Sequence, residues 1–343
     1  GWARFLGPHC VEVRLADGGM RELHGERMLI AVGGRPHRPE IPGAELGWVS
    51  DDLFSLEALP ESMVVVGASY IACEFAAILH GLGVTVTQLV RGDHLLRGFD
   101  REASEAVRQA MEADGIEIRF AQSPARITGD CAPGDLTVTT GSGETIVCGG
   151  VLLATGRRPF LNGLSLEAAG VAVEDGRIPV DADQRTNVPS IFAVGDVTDR
   201  INLTPVAIDE GRAFADSVFG GRPRRVDYSL VPRAVFSQPE LASVGWSEEE
   251  AMERLGPDAV LVHRTRFRPM SQALPARDPK VLLKLVVARE GGRVLGAHMV
   301  GDHAAEIIQM AAIPLVMGAT KADFDRAMAL HPSVAEEFVT MPN

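Results

Sequence analysis

The sequence predicts an α/β protein in which one parallel βαβ domain is inserted into another domain, with a further α+β domain after both. Three observations carry this. Met63-Val64-Val65-Val66-Gly67 is a short, wholly apolar strand. A Gly-Ala-Ser turn follows it, then an apolar helix from Tyr70 to Leu82 and a second strand from Val84 to Val90. Strand, glycine turn, helix and strand within about 30 residues make a βαβ unit, whose parallel strands are buried on both faces. Second, Ala31-Val32-Gly33-Gly34-Arg35-Pro36 is echoed by Ala154-Thr155-Gly156-Arg157-Arg158-Pro159, each after an apolar strand. The two read as the crossings into and out of the inserted domain. Third, strands and helices alternate again from about residue 229.

Taken in order, residues 1 to about 36 read as β-structure. The chain opens without methionine, and the strand Val11-Glu12-Val13 lies so near its start that nothing ahead of it could hold a second Gly-rich loop. Residues 37–158 form the Rossmann-type inserted domain, completed by a helix (Arg101 to Ala113), a strand (Ile116 to Phe120) and a β-rich stretch (Leu136 to Ala154). Residues 159–228 return to the first domain with the buried strand Ile191 to Asp196 and a helix near Pro205 to Phe219. Residues 229–343 hold strands Val281 to Ala288 and Val294 to Val300 and two helices. The strands near Leu29 and Ile191 are expected to present apolar faces that need a covering layer.

With 343 residues, the chain is long enough for two or three domains. No apolar run reaches the ~18 residues of a membrane span, which argues against a membrane protein. A net charge of −13 argues against nucleic acid as partner, because phosphates require a basic face. Cys10, Cys73, Cys131 and Cys148 are scattered without C-x-x-C spacing, the usage of a reducing, cytoplasmic compartment. Cys73 falls in a helical apolar pattern as a small buried hydrophobe. No metal site is legible: His298 and His303 lack a convincing ligand set.

Gly67-Ala68-Ser69-Tyr70-Ile71-Ala72 is a G-x-G-x-x-A-like fingerprint with serine in the middle position. The first glycine makes the tight turn, the middle position lets backbone approach a pyrophosphate, and the last small residue lets the helix pack on the strand. Helix-terminal N–H groups then hold the pyrophosphate. Ser69 crowds that approach slightly, although its hydroxyl could donate to the phosphate. About twenty residues on, Leu89 stands where an acid would bind a ribose 2′-hydroxyl, and Arg91 and Arg97 follow. Two guanidinium groups beyond an acid-free strand end suit the 2′-phosphate of NADPH, the alternative being a solvated basic loop. Glu74 lies on the same helical side as Tyr70 in an apolar helix, so it calls for a partner, and none is evident in the sequence. Gly195-Asp196 ends a strand where an acid could bind a ribityl or ribose hydroxyl, or make an ordinary turn. Arg212 is either a surface charge or an anion ligand. His331, followed by Pro332 and five residues before Glu336, reads as an imidazole oriented by a carboxylate and able to exchange a proton near pH 7.

Together these stretches resemble the pyridine nucleotide–disulfide oxidoreductases, and among them the glutathione reductases rather than the lipoamide, mercuric or thioredoxin reductases. The resemblance runs along essentially the whole chain. It is most specific in Val231 to Glu240, Phe267-Arg268-Pro269-Met270, Gly318 to Asp325 and His331 to Met341. It implies a Rossmann-type NADPH domain inserted in a partial FAD-binding domain, followed by a dimerisation domain. It also implies NADPH and FAD as cofactors, glutathione disulfide as substrate and a homodimer. Tyr70 would gate the flavin, and Glu74 would pair with a lysine beside a redox disulfide. Gly67, Ser69, Ile71, Arg91 and Arg97 would hold the nucleotide, with Gly156 and Arg157 near the nicotinamide. Gly195, Asp196 and the backbone at Thr204 would hold the flavin, and Arg212 a glutathione carboxylate. His331, with Glu336, would protonate the leaving thiolate in the partner subunit's site. The family's Gly-rich FAD unit and C-x-x-x-x-C disulfide have no counterpart among these residues. The chain is therefore expected to be part of a longer enzyme and inactive alone. The rival reading is a redox-silent NADPH-binding or dimerising module, or a reductase of another small disulfide.

Overall fold

The computed structural model describes residues 1–129, 136–273 and 280–342; Cys131 lies outside the described residues. Two compact units divide the chain: Gly1–His37 with Gly156–Tyr228, and Arg38–Thr155 with Ser229–Asn343.

The first unit opens on a three-stranded antiparallel meander, Trp2–Gly7, Cys10–Arg14 and Met20–His24. The strand expected over Val11–Val13 is thus the middle one, and a strand precedes it. Met28–Ile30 pairs in parallel with Ile191–Ala193. The two echoing crossings pair with each other: Gly34–Pro36 runs antiparallel to Arg157–Pro159, with Arg158 opposite Arg35. Phe5, Ile30, Leu164, Leu166, Ile178, Ile191 and Val197 pack as the core of this unit. The expectation of two open apolar faces holds at one place only. Leu29 is 42% exposed, whereas Ile191 is completely buried, because its own unit's Leu164, Leu166 and Ile178 pack in the same cluster.

The second unit contains the βαβ fold. Its parallel sheet runs, in spatial order, Gly150–Leu153, Ser62–Val66, Thr85–Val90 and Glu117–Phe120. Val64, Val65, Leu89 and Leu152 are buried, as central parallel strands must be when both faces are covered. Helices Tyr70–Gly81 and Arg101–Asp114 connect these strands. The second helix starts at Asp100, whose carboxylate accepts the Glu102 and Ala103 N–H groups, and stops at Gly115 with φ of 110°.

Residues 229–342 add a five-stranded antiparallel sheet in the order Arg233–Val235, Leu241–Gly245, Val294–Val300, Val281–Ala288, Val260–Phe267. Only two of these strands are evident from sequence. Val260–Phe267 is an edge strand that carries His263, Arg264 and Arg266, which dilutes its apolar signal. Helices Glu248–Leu255 and Ala304–Val316 lie among these strands in chain order. Val235, Leu241, Leu282 and Val300 of this sheet join the same buried cluster as Cys73, Ala76, Val107 and Met111 from the two nucleotide-domain helices. That shared core binds the inserted domain and the last domain into one unit.

Candidate functional site

The glycine turn is built as a backbone cradle. Gly67 has φ of 143°, and a Cβ there would meet the Ala154 carbonyl oxygen at 2.3 Å, so no other residue fits. Gln88, fully buried beneath the turn, donates from Nε2 to the Gly67 carbonyl at 2.9 Å, while its Oε1 has no partner among the described residues. Ser69 is the N-cap of Tyr70–Gly81, yet its side chain makes no capping bond to the helix. Its hydroxyl and the helix-terminal N–H groups remain available to an anion.

The arginine loop is tied to this turn. Leu96 donates its N–H to the Ala68 carbonyl at 2.7 Å, and buried Leu95 and Leu96 anchor the loop in the core. Leu89 points into the buried core, so no side chain at that strand end competes for a ribose hydroxyl. Arg91 and Arg97 are exposed, and the Arg97 guanidinium lies against Gly92. Among the described residues neither makes an ion pair, although the neighbouring Asp93 is taken by His94 and Arg101. Two uncommitted guanidinium groups thus stand beside a phosphate cradle. The residues fit a nucleotide bearing an additional phosphate.

Glu74 does find a partner that sequence reasoning missed: its Oε1 accepts the Phe236 N–H at 2.9 Å. Partial burial raises its pKa from the ordinary carboxylate range, and this single hydrogen bond offsets only part of the effect. Tyr70 and Ile71 are half-buried on the same helix, packed against its core. A cavity of about 760 Å³ opens beside Phe236, lined also by Gln238, Arg266 and His303. None of the sequence-predicted site residues lines it.

In the first unit, Gly195 (φ 74°) turns the chain at the end of the Ile191–Ala193 strand. Its N–H is held at 2.6 Å by Glu210, which is buried and also takes the Tyr228 hydroxyl and Arg200. Glu210 carries no motif, and only the fold reveals that it sets this turn. The turn carries Asp196, half-buried, whose carboxylate lies so close to Gly34 that a Cβ on Gly34 would meet Oδ2 at 3.4 Å. Thr204 is the exposed first residue of the helix Thr204–Val218, and Arg212 is exposed further along it. Gly156 (φ 126°) precedes Arg157, whose Nη2 donates to the Gly34 carbonyl at 3.0 Å. Gly34, Arg157 and Asp196 therefore gather at the paired crossings, where closely approaching glycine backbone and an acid suit a polyol-phosphate chain such as that of FAD.

At the C-terminal end, the His331–Pro332 bond is cis, and Nδ1 of His331 sits 3.1 Å from both oxygens of Glu336. Glu336 is only 15% exposed and also accepts the Ser333 N–H, while the Ser333 hydroxyl takes the Glu336 N–H. Buried Phe338 and Met341 pin the following turn to the five-stranded sheet. The imidazole itself is 75% exposed, so a fixed Nδ1 leaves Nε2 directed to the outside.

A buried ion cluster lies elsewhere. Lys284 is fully buried and contacts Asp100 (2.9 Å), Glu102 (3.1 Å) and Glu248 (2.6 Å). No sequence motif announced it. Burial works against both charges, but the opposed partners hold the Asp100 pKa low and the Lys284 pKa high.

Comparison with known proteins matches residues 1–211 to the pyridine nucleotide-disulphide oxidoreductases and residues 231–342 to the dimerisation domain of the same family. The glutathione reductase of Nostoc sp. is 46% identical over 99% of this chain and 76% of its own length. That of Burkholderia cepacia is 46% identical over 100% of this chain and 75% of its own length. Among solved structures, the HOCl-induced flavoprotein disulfide reductase RclA from Escherichia coli superposes with a TM-score of 0.88 at 27% identity, covering 99% of this chain and 78% of that one. The chain belongs to the pyridine nucleotide-disulphide oxidoreductase family. No helix among the described residues is long and apolar enough to cross a membrane.

Proposed function

We propose that this chain serves the NADPH-dependent reduction of glutathione disulfide, as a cytoplasmic homodimer. The observation that carries this reading is the uncommitted Arg91 and Arg97 pair tethered to the Gly67 cradle, in a chain nearly half identical to curated glutathione reductases. The arginines bind the 2′-phosphate, the Gly67–Ala72 turn and the helix N-terminus hold the pyrophosphate, and Tyr70 covers the nicotinamide path. FAD, when bound, supplies two-electron transfer between the nucleotide and a redox disulfide. Asp196 and the backbone at Thr204 hold its polar chain and ring edge. Arg212 takes a glutathione carboxylate, which its lack of any partner among the described residues supports.

The proton inventory follows from the reaction, in which NADPH, one proton and glutathione disulfide give NADP⁺ and two thiols. His331, held through Nδ1 by Glu336, delivers a proton from Nε2 to the leaving thiolate. Glu74, with its raised pKa, is the carboxylate kept for a partner cation near the redox disulfide. These 343 residues hold no C-x-x-x-x-C pair, so the chain alone is expected to show no disulfide turnover.

The test joins the portion of the Nostoc glutathione reductase that this chain does not cover to this chain, and follows NADPH oxidation. Glutathione disulfide should support turnover, and His331→Ala should reduce it by about 10²–10⁴-fold, the usual worth of a positioned general acid. Preference for a larger disulfide would move the assignment to a related reductase, and His331→Ala turning over normally would remove the proton donor.

A further inference from the structure

The meander at the start of the chain carries a set of donors that the proposed redox chemistry does not use. Side chains two apart on a strand share a face, so Cys10 and Glu12 face the same side, as do Glu22 and His24. Strand register then sets Cys10 directly opposite His24 and Glu12 directly opposite Glu22. Two carboxylates in that position repel. Arg4 relieves one of them, donating to Glu12 at 2.6 Å. Among the described residues Glu22 has only His24, 4.0 Å away, and His24 Nε2 lies 3.9 Å from Cys10 Sγ. Among the described residues this is the one group of three such donors, with their ligand atoms all within 4.8 Å of one another.

We propose that Cys10 Sγ, His24 Nε2 and the Glu22 carboxylate bind one borderline divalent transition-metal cation of the zinc class. Tetrahedral bonds of about 2.0–2.3 Å separate neighbouring donors by roughly 3.3–3.6 Å. Closing to that distance needs only small rotations of side chains that are mostly exposed, His24 at 73% and Glu22 at 62%. Thiolate and imidazole favour such a cation over calcium or magnesium, which take oxygen ligands. On binding, the Cys10 thiol releases its proton to solvent, and thiolate plus carboxylate balance the two positive charges. Water completes the fourth position. The cation also removes the repulsion between Glu12 and Glu22, so it should stiffen the meander.

The test titrates zinc into the tag-free chain against a chromophoric chelator. One equivalent per chain should bind, and Cys10→Ser or His24→Ala should each weaken it by about 100-fold. Cys131→Ser, which removes another thiol, should leave affinity unchanged. Cobalt should give a thiolate-to-metal absorption band that Cys10→Ser abolishes, with far-ultraviolet circular dichroism unchanged. Absence of a bound equivalent, or equal affinity in Cys10→Ser, would overturn the site. So would loss of binding in Cys131→Ser with Cys10→Ser unaffected.

Discussion

Two regions of the second unit use charge in opposite ways. Around Lys284, every charge is spent: one ammonium is shared by Asp100, Glu102 and Glu248, and Asp100 also caps a helix. Around the glycine turn, charge is held in reserve: Arg91 and Arg97 have no acid among the described residues, and Glu74 has one backbone N–H. A saturated buried cluster fixes the fold, whereas an unsaturated rim keeps its binding capacity for something from outside. The contrast separates structural charge from functional charge without reference to any motif.

The contrast breaks if the two regions respond alike to substitution. Lys284→Met should have the largest effect, destabilising the chain by about 3–5 kcal/mol in urea unfolding, because Asp100 and Glu248 lose their buried cation and, among the described residues, Glu102 keeps only Arg264. Asp100→Asn should cost less, about 1.5–3 kcal/mol, since asparagine keeps one oxygen for the helix cap but loses the second, which holds Lys284 and the Glu248 N–H. Glu74→Gln should change stability by no more than about 0.5–1 kcal/mol at neutral pH, because its amide oxygen still accepts the Phe236 N–H.

The pH dependence sharpens the same difference. Burial raises the Glu74 pKa, so the folded chain binds that proton more tightly than the unfolded one. Its contribution therefore makes stability fall as pH rises from the ordinary carboxylate range to the folded value. Asp100 is the reverse. Burial opposes its charge, but His298 and Lys284 keep its pKa below the ordinary range. Its stabilisation is present above that range and is lost as pH falls through the folded value. Unfolding measured across the acid range should show the Glu74 slope vanish in Glu74→Gln and the Asp100 slope vanish in Asp100→Asn.

What was legible in the sequence was local. The Gly67–Ala72 turn, the arginines beyond the second strand and the His331–Glu336 pair each sit within one element or one loop, where spacing determines geometry. The unread parts depend on contacts between distant segments. Lys284 meets Asp100 across 184 residues, Glu74 meets Phe236 across 162, and Glu210 reaches back 15 residues to the turn that carries Asp196. The Cys10–His24 pair was hidden for another reason. Strand register decides which residues face each other, and a slip of one position would have separated them.

The most direct measurement is nucleotide binding to the chain itself, titrating NADPH and NADH by nicotinamide fluorescence. NADPH should bind once per chain and more tightly than NADH. Arg91→Ala with Arg97→Ala should erase that preference, each charged contact being worth about 1.5–3 kcal/mol, and leave NADH affinity unchanged. Equal affinity for the two nucleotides in the unaltered chain would contradict the assignment of the arginine pair, and with it the central claim.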